Sequence, residues 1–277
     1  MISVVTPSFQ QLEWLKLCAA SVADQKGVQH EHIIQDAGSS GDLEDWARTI
    51  PNLSLFVEGD AGMYDAINRG LRRSRGAICS YLNCDEQLLP GALAKVVAFF
   101  EEHSDVDVLF GDAILIDRVC NPISYRRVVL PTLSHVRYVH LNTQSCSTFF
   151  RHHLVARGLL FDPKWKAIGD RVWMELLLRS NIRTATLNEP LAVFTFTGRN
   201  LGATRICEEE AAHYKGRMST LTWLQKCAAI TSHRYRKFLA GAYKAREVTI
   251  DIYTPDSLLS RQCRHGRVGF SWPNVVV

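Results

Sequence analysis

The 277-residue chain contains no C-x-x-C pair to set beside a paired histidine spacing, so its eight cysteines and ten histidines do not spell a zinc site. No uninterrupted apolar run approaches the roughly 20 residues that a membrane-spanning helix needs. The N-terminus passes from Met1 directly into a strand-like segment without the basic and apolar regions of a secretory signal, and the expectation is a cytoplasmic protein. No G-x-G-x-x-G follows the first strand, which argues against an NAD-dependent enzyme. Thr6-Pro7-Ser8-Phe9-Gln10 also lacks the glycine-rich, Arg- and Lys-bearing loop with which a nucleotidyltransferase would open. Internal repeats and low-complexity segments are absent. Acidic residues are missing from 215–246, which holds eight Lys and Arg; the net charge of +4 therefore resolves into −4 on residues 1–214 and balance over 247–277. So biased a stretch reads either as a solvated helix face or as a surface for an acidic partner such as anionic lipid headgroups, a lipid diphosphate or an acidic glycan. No nucleic-acid partner is expected.

What is present is a substantial apolar fraction, 47%, enough for one large core with an appended module. The scattered cysteines read as reduced core fillers. Cys84 stands beside Asp85 and Glu86, which would raise its pKa and disqualify it as a nucleophile. Residues 1–112 alternate strand and helix signals: strands at 2–6, 32–36, 53–57, 77–82 and 106–110, helices at 11–24, 43–49, 63–75 and 90–103. This order predicts a mostly parallel sheet covered on both faces, with ligands at the carboxyl ends of its strands. Short strands at 113–119, 125–130 and 145–150, a helix at 168–179, and strands at 183–187 and 191–197 follow. Helical spacing of Tyr214, Met218, Leu221, Leu224 and Cys227 extends the helical reading over 207–246, and the final 30 residues have no clear regular pattern.

The residues that could carry chemistry cluster at predicted strand ends. Gly62, preceded by Asp60, opens the helix at 63–75, whose unpaired first-turn N–H groups suit a phosphate. In that helix Met63, Ala66, Ile67, Gly70 and Leu71 form an apolar stripe that leaves Tyr64, Asp65, Asn68 and Arg69 away from the core. Asp36 heads D-A-G-S-S-G-D, where its carboxylate either accepts a nucleobase imide N–H or caps its own loop. Asp85 and Glu86, two adjacent acids ending a buried strand, either share a divalent cation, Mg2+ or Mn2+, or begin a solvated turn. Asp170 opens its helix as an N-cap or as a general base aimed into the cleft.

Together S-V-V-T-P-S-F, I-I-Q-D-A-G-S-S-G-D, E-G-D-A-G-M-Y-D-A-I-N-R-G, L-N-C-D-E-Q-L-L-P-G-A-L, Q-S-C-S-T-F-F-R and G-D-R-V-W-M-E-L-L-L-R resemble the family-2 glycosyltransferases over most of residues 1–200. The likeness is closest to bacterial members that build cell-surface polysaccharides. It implies an α/β fold of the GT-A type, a Rossmann-like, mostly parallel mixed sheet with helices on both faces, plus a C-terminal helical extension. The implied domains are 1–206, with a nucleotide-sugar half at 1–112 and an acceptor half at 113–206, and a basic, mainly helical extension at 207–277. Asp36 then resembles the nucleobase-reading carboxylate, Asp85 the one near ribose and metal, and Asp170 the base. Glu86 replaces the usual metal-binding aspartate, and Gly169 stands where many relatives carry a further acid. Thr6, Pro7 and Ser8 resemble the loop flanking the nucleotide; Asp60, Gly62, Tyr64, Asn68 and Asn83 complete the expected donor contacts, and Gln144, Thr148 and Arg199 the acceptor side.

The implied activity is a metal-dependent, inverting sugar transfer from a nucleotide diphosphate sugar, UDP by preference, to a hydroxyl of a glycan or lipid-linked acceptor. A cation would neutralise the leaving diphosphate, so no protein acid is required, and a single base would deprotonate the acceptor. The expected location is the cytoplasm or the inner membrane surface, reached through 215–246. A non-catalytic sugar-nucleotide or glycan binder of the same fold is the alternative.

Overall fold

The structure, a computed structural model, describes residues 1–39, 42–198, 200–216 and 223–273. The first half alternates as its apolar periodicity dictates: β1 (Ile2–Ser8), α1 (Leu12–Ala23), β2 (His30–Asp36), α2 (Leu43–Ala47), β3 (Leu53–Val57), α3 (Met63–Arg73) and β4 (Ile78–Tyr81). A two-residue strand β5 (Gln87–Leu88), helix α4 (Ala92–Glu102) and strands β6 (Val108–Ile116) and β7 (Pro122–Arg126) follow. Then come α5 (Leu133–Tyr138), β8 (Thr148–Arg151), α6 (His153–Ala156), α7 (Gly169–Arg179) and β9 (Thr184–Thr195). Helices α8 (Arg205–Gly216) and α9 (Trp223–Leu239) lead to β10 (Arg246–Thr254) and β11 (Ser257–Val268).

The main sheet runs β3-β2-β1-β4-β8-β6-β9-β5, with β7 beside β6. Strands β3, β2, β1 and β4 are parallel, whereas β8 is antiparallel to both β4 and β6. β1 is buried throughout, and its two-residue period sends Val4 into one apolar cluster and Val5 into another on the opposite face. The first cluster holds Cys18 and Val22 of α1 with Leu93, Val96 and Phe100 of α4; the second holds Ile67 and Leu71 of α3 with Trp173, Met174 and Leu177 of α7. Helix α3 lies so close to the sheet that a Cβ at Gly70 would meet Val5 at 2.3 Å. Register pairs Ser8 with Asp36 and Asp36 with Val57, so the parallel strands end together along one rim.

Three expectations are corrected by this packing. The expected strands at 106–110 and 113–119 overlap one continuous strand, β6 (Val108–Ile116), and those at 183–187 and 191–197 overlap one strand, β9 (Thr184–Thr195). Gly111, Asp112 and Pro190 interrupt the pattern in sequence, but register shifts around Gly111, Asp112 and Ala113 absorb them without ending either strand. Tyr64 and Asn68 are buried: Tyr64 stacks on Phe161 at 5.4 Å, and the Asn68 amide brackets the Phe161 backbone, donating at 2.8 Å and accepting at 3.0 Å. The chain beyond 246 is an antiparallel hairpin, β10 with β11, whose Val248, Ile250, Ile252 and Val268 pack on Ile114, Ile116 and Val193. Each such side chain contributes roughly 1.5–3 kcal/mol by burial, which pins the hairpin to the sheet. No helix among the described residues is long and apolar enough to cross a membrane.

Candidate active site

The rim where β1 and β4 end opens into a cavity of about 850 Å³. It is bordered by Pro7 and Ser8 at the end of β1, by Ala37 after β2, by Asp60 and Gly62 before α3, and by Asn83 and Asp85 after β4. From the second half come Gln144, Ser145 and Asp170, and from the chain after β9 come Phe196 and Asn200. Asp60, Asp85 and Asp170 therefore face one space although they stand far apart in sequence.

Gly62 begins α3 at φ 118°, a conformation that L side chains rarely adopt. Its amide donates to Asp60 Oδ1 at 2.8 Å and that of Ala61 to Asp65 at 3.0 Å. Met63 and Tyr64, both lining the cavity, hold the remaining first-turn amides without helical acceptors. Lys166 Nζ donates to the carbonyl of Ala61 and, at 2.8 Å, to that of Pro163, tying this turn to the approach to α7.

Asp85 contacts Asn200, whose amide donates to it at 3.4 Å and to the Thr195 carbonyl at 2.8 Å. Burial pushes its carboxyl up to about 6. Glu86, expected as the second metal ligand, is committed elsewhere: one oxygen accepts the Asn83 amide at 2.8 Å and the other the Ser145 hydroxyl at 2.8 Å. Burial, reinforced by the neighbouring Asp85, pushes Glu86 up to about 8. Its longer side chain folds back to close its own loop, so it clasps the segment that presents Asp85. No group of three His, Cys, Asp or Glu side chains among the described residues is arranged as a metal site. Asp85 alone still fits Mg2+ or Mn2+, which take one or two carboxylates and fill their remaining positions from phosphate and water. The charge balance agrees, since the described cavity lining carries three carboxylates and no Lys or Arg.

Asp170 opens α7. One oxygen accepts the Arg171 amide at 2.7 Å and the Tyr64 hydroxyl at 3.4 Å; the other has no partner among the described residues. Burial raises its pKa, and those two donors moderate the rise. Glu210 of α8 steadies the approach to the helix by accepting the amides of Lys166, Ala167 and Ile168 at 2.6, 2.9 and 3.1 Å. Gly169 has a steric cause: a Cβ there would meet the Tyr64 ring at 2.6 Å, so no acidic side chain fits before Asp170.

Other expected site residues hold the scaffold. Asp36 is fully buried and caps its own loop, accepting the amides of Gly38 and Ser39 at 3.0 and 2.6 Å and the Ser39 hydroxyl at 2.8 Å. Its neighbour Ala37 lines the cavity instead. Thr6 bonds His32 at 2.8 Å, Thr148 donates to the Gln144 carbonyl at 2.7 Å, and Asn68 serves Phe161 as described. Arg199 lies outside the described residues. Cys84 does border the cavity, with its thiol pKa raised by burial and then by Asp85, as its neighbours predicted.

Sequence reasoning missed Phe9, Phe194 and Trp272. Trp272 follows the hairpin and packs on Phe194 and Phe196 at centroid separations of 5.8 and 5.2 Å, bringing the chain's far end to the cavity wall. The alternation V-T-I-D-I-Y at 248–253 is the signal that would have found the hairpin. Nothing in the sequence alone ties Trp272 to the site.

Among curated proteins the chain is similar to a PGL/p-HBAD biosynthesis glycosyltransferase of Mycobacterium bovis, 33% identical over 121 residues, which cover 42% of this chain and 47% of that protein. It is also similar to an uncharacterised glycosyltransferase of Mycobacterium tuberculosis, 30% identical over 132 residues, covering 45% and 50%. The chain thus spans about half the length of these relatives. Among solved structures, S. aureus TarS 1–349 in complex with UDP-GlcNAc superimposes with a TM-score of 0.65 at 16% identity, covering 86% of this chain and 72% of that one. The mannosyltransferase PcManGT of Pyrobaculum calidifontis, in complex with GDP-Man and Mn2+, gives 0.59 at 16% identity, covering 86% and 70%. These similarities identify the fold as GT-A. Residues 3–154 match the family model described as glycosyl transferase family 2, and the chain belongs to that family.

Proposed function

We propose that this protein transfers a sugar from a nucleotide diphosphate sugar to a hydroxyl of a glycan or lipid-linked acceptor, with inversion at the anomeric carbon. The observation that carries this reading is the meeting of Asp85 and Asp170 in one cavity that Met63 and Tyr64 of the first turn of α3 also line. The diphosphate would lie between those amides and Asp85. A Mg2+ or Mn2+ held at Asp85 supplies neutralisation of charge on the departing diphosphate. Asp170 takes the proton of the acceptor hydroxyl through its unpartnered oxygen, and Tyr64 and Arg171 orient it. Glu86 and Asn200 hold the Asp85 loop from either side. Residues 1–112 serve the donor and 113–206 the acceptor, while 207–277 add the α8–α9 extension and the hairpin.

The acceptor reading is supported by α9, where Trp223, Leu224, Phe238 and Leu239 are exposed alongside Lys226 and Arg234. Exposed apolar side chains among basic ones are what an interfacial helix offers to an anionic membrane. Hydrolysis of a panel of nucleotide sugars, with Mn2+ and with EDTA, tests the activity. Mn2+-dependent release of nucleotide is the expected result; donor binding without turnover on any acceptor extract or water would instead mark a binding protein.

A further inference from the structure

A second cavity, of about 270 Å³, opens between β7, α5 and α9, on the opposite side of the 139–144 segment from the large one. Along that segment Val139, His140 and Asn142 line the small cavity, whereas Leu141, Thr143 and Gln144 line the large one. The small cavity is bordered by Arg126, Arg127, Arg234 and Lys237 and by three imidazoles, with no Asp or Glu among its described lining residues. Arg127 is neutralised by Asp112 behind it at 2.9 Å. Among the described residues Arg126 donates to the Phe270 carbonyl, at 2.7 Å, and lies over the Trp272 ring at 5.6 Å, and Lys237 rests over the Tyr243 ring at 4.9 Å. Three positive charges thus meet in one hollow without a counter-charge among the described residues.

The imidazoles sharpen the case. His135, 2% exposed, stacks on His233 at a centroid separation of 3.8 Å and meets His140 edge-on at 4.7 Å. The Nδ1 atoms of His135 and His233 are buried and have no hydrogen-bond partner among the described residues. An unsatisfied buried polar atom costs about 1–3 kcal/mol, and two lie side by side here. Burial and then the neighbouring positive groups push His135 down to about 4 and His233 to about 3; burial also lowers Lys237, with Arg126 adding to the effect. Every one of these features would be relieved by a compact anion.

We propose that this cavity binds a phosphoryl dianion: inorganic phosphate, a phosphomonoester or the terminal phosphate of a lipid. Its volume of about 270 Å³ is at the small end for ligand sites and suits a phosphate headgroup better than a nucleotide sugar. Charge-assisted bonds from Arg234 and Lys237, with an imidazole N–H as a further donor, supply the recognition. Because the 139–144 segment walls both cavities, a seated anion also fixes the side chains it presents to the large one. The helix that lines this cavity with His233, Arg234 and Lys237 also carries the exposed Trp223, Leu224, Phe238 and Leu239, which suits a phosphate borne on a membrane.

The test is calorimetry with inorganic phosphate at constant ionic strength, paired with NMR of the histidine ring signals. Phosphate is expected to bind and to shift the rings of His135, His140 and His233, while chloride does neither. Arg234→Gln with Lys237→Gln is expected to weaken phosphate at least about tenfold. Neither side chain makes a hydrogen bond or ion pair to another described residue, and the variant gives up only the contact of Lys237 with the Tyr243 ring, so it folds, with a melting temperature in phosphate-free buffer close to that of the wild type. Sedimentation with phosphatidate against phosphatidylcholine vesicles separates the sources. Phosphatidate-selective partitioning lost in the double variant assigns a lipid phosphate; soluble phosphate binding with partitioning unaffected by the variant assigns a free ester. Absence of histidine shifts on phosphate addition, or equal phosphate affinity in the double variant, overturns the proposal.

Discussion

Replacing Glu86 by Gln separates a loop clasp from a metal ligand. Glu86 is 1% exposed, and its pKa is pushed up from 4.5 to about 8, chiefly by burial. A carboxyl raised in this way lends stability that is complete below pH 4.5 and lost as the pH climbs through about 8. At about 1.4 kcal/mol per pKa unit, the full window corresponds to roughly 3–5 kcal/mol. Gln is neutral throughout. It keeps one acceptor for the Asn83 amide or the Ser145 hydroxyl and gives up the other, a fixed loss of about 1 kcal/mol at every pH. In metal-free urea unfolding at pH 5 and pH 9, the stability of Glu86→Gln relative to wild type should therefore improve by roughly 3–5 kcal/mol toward the alkaline side. The effect should appear in the midpoint with m unchanged. Parallel pH profiles for the two proteins would refute the buried clasp. If Glu86 instead held a cation, the variant would lose Mn2+-dependent nucleotide-sugar binding, which the clasp geometry predicts it keeps.

Other perturbations probe the remaining parts. Asp170→Asn should retain donor binding by calorimetry and lose transfer by about 10²–10⁴-fold, the usual worth of a general base; near-normal turnover would remove Asp170 from that role. EDTA should weaken nucleotide-sugar binding to the wild type, and Asp85→Asn should abolish the difference between EDTA and Mn2+; equal affinities in the wild type would deny a cation at Asp85. Gly169→Ala should lower stability by about 1–3 kcal/mol through overpacking against the Tyr64 ring, and an unchanged melting temperature would mean the ring yields freely.

Much of the first half was legible in sequence because β1, β2 and β4 are buried on both faces, β3 keeps a continuous apolar run at the partly buried sheet edge, and the helices carry single apolar stripes. β3 begins and ends where its Leu-Ser-Leu-Phe-Val run does, and β1 and β2 follow their apolar runs closely. Polarity misled where tertiary contacts supply the partners. Tyr64 and Asn68 look solvent-facing on a helical wheel, yet Phe161, about ninety residues away in the chain, buries both. Asp36 and Glu86 carry the expected residue types at strand ends but spend their oxygens on their own loops. Adjacency in sequence cannot reveal that choice, because it depends on whether the carboxylate reaches a local amide or the cavity. The hairpin escaped notice because a basic helical stretch precedes it and its outer strand, β11, is largely polar. Asp85, Asp170 and Gly62 were readable for the opposite reason: each sits at an element end whose geometry the local pattern already dictates.

The most direct measurement is a crystal structure with a bound nucleotide sugar and Mn2+. The diphosphate is expected against the Met63 and Tyr64 amides, with Mn2+ on Asp85 and the anomeric carbon open to an acceptor held by Asp170. A donor seated outside this cavity, or one whose anomeric carbon is shielded from Asp170, would contradict the account.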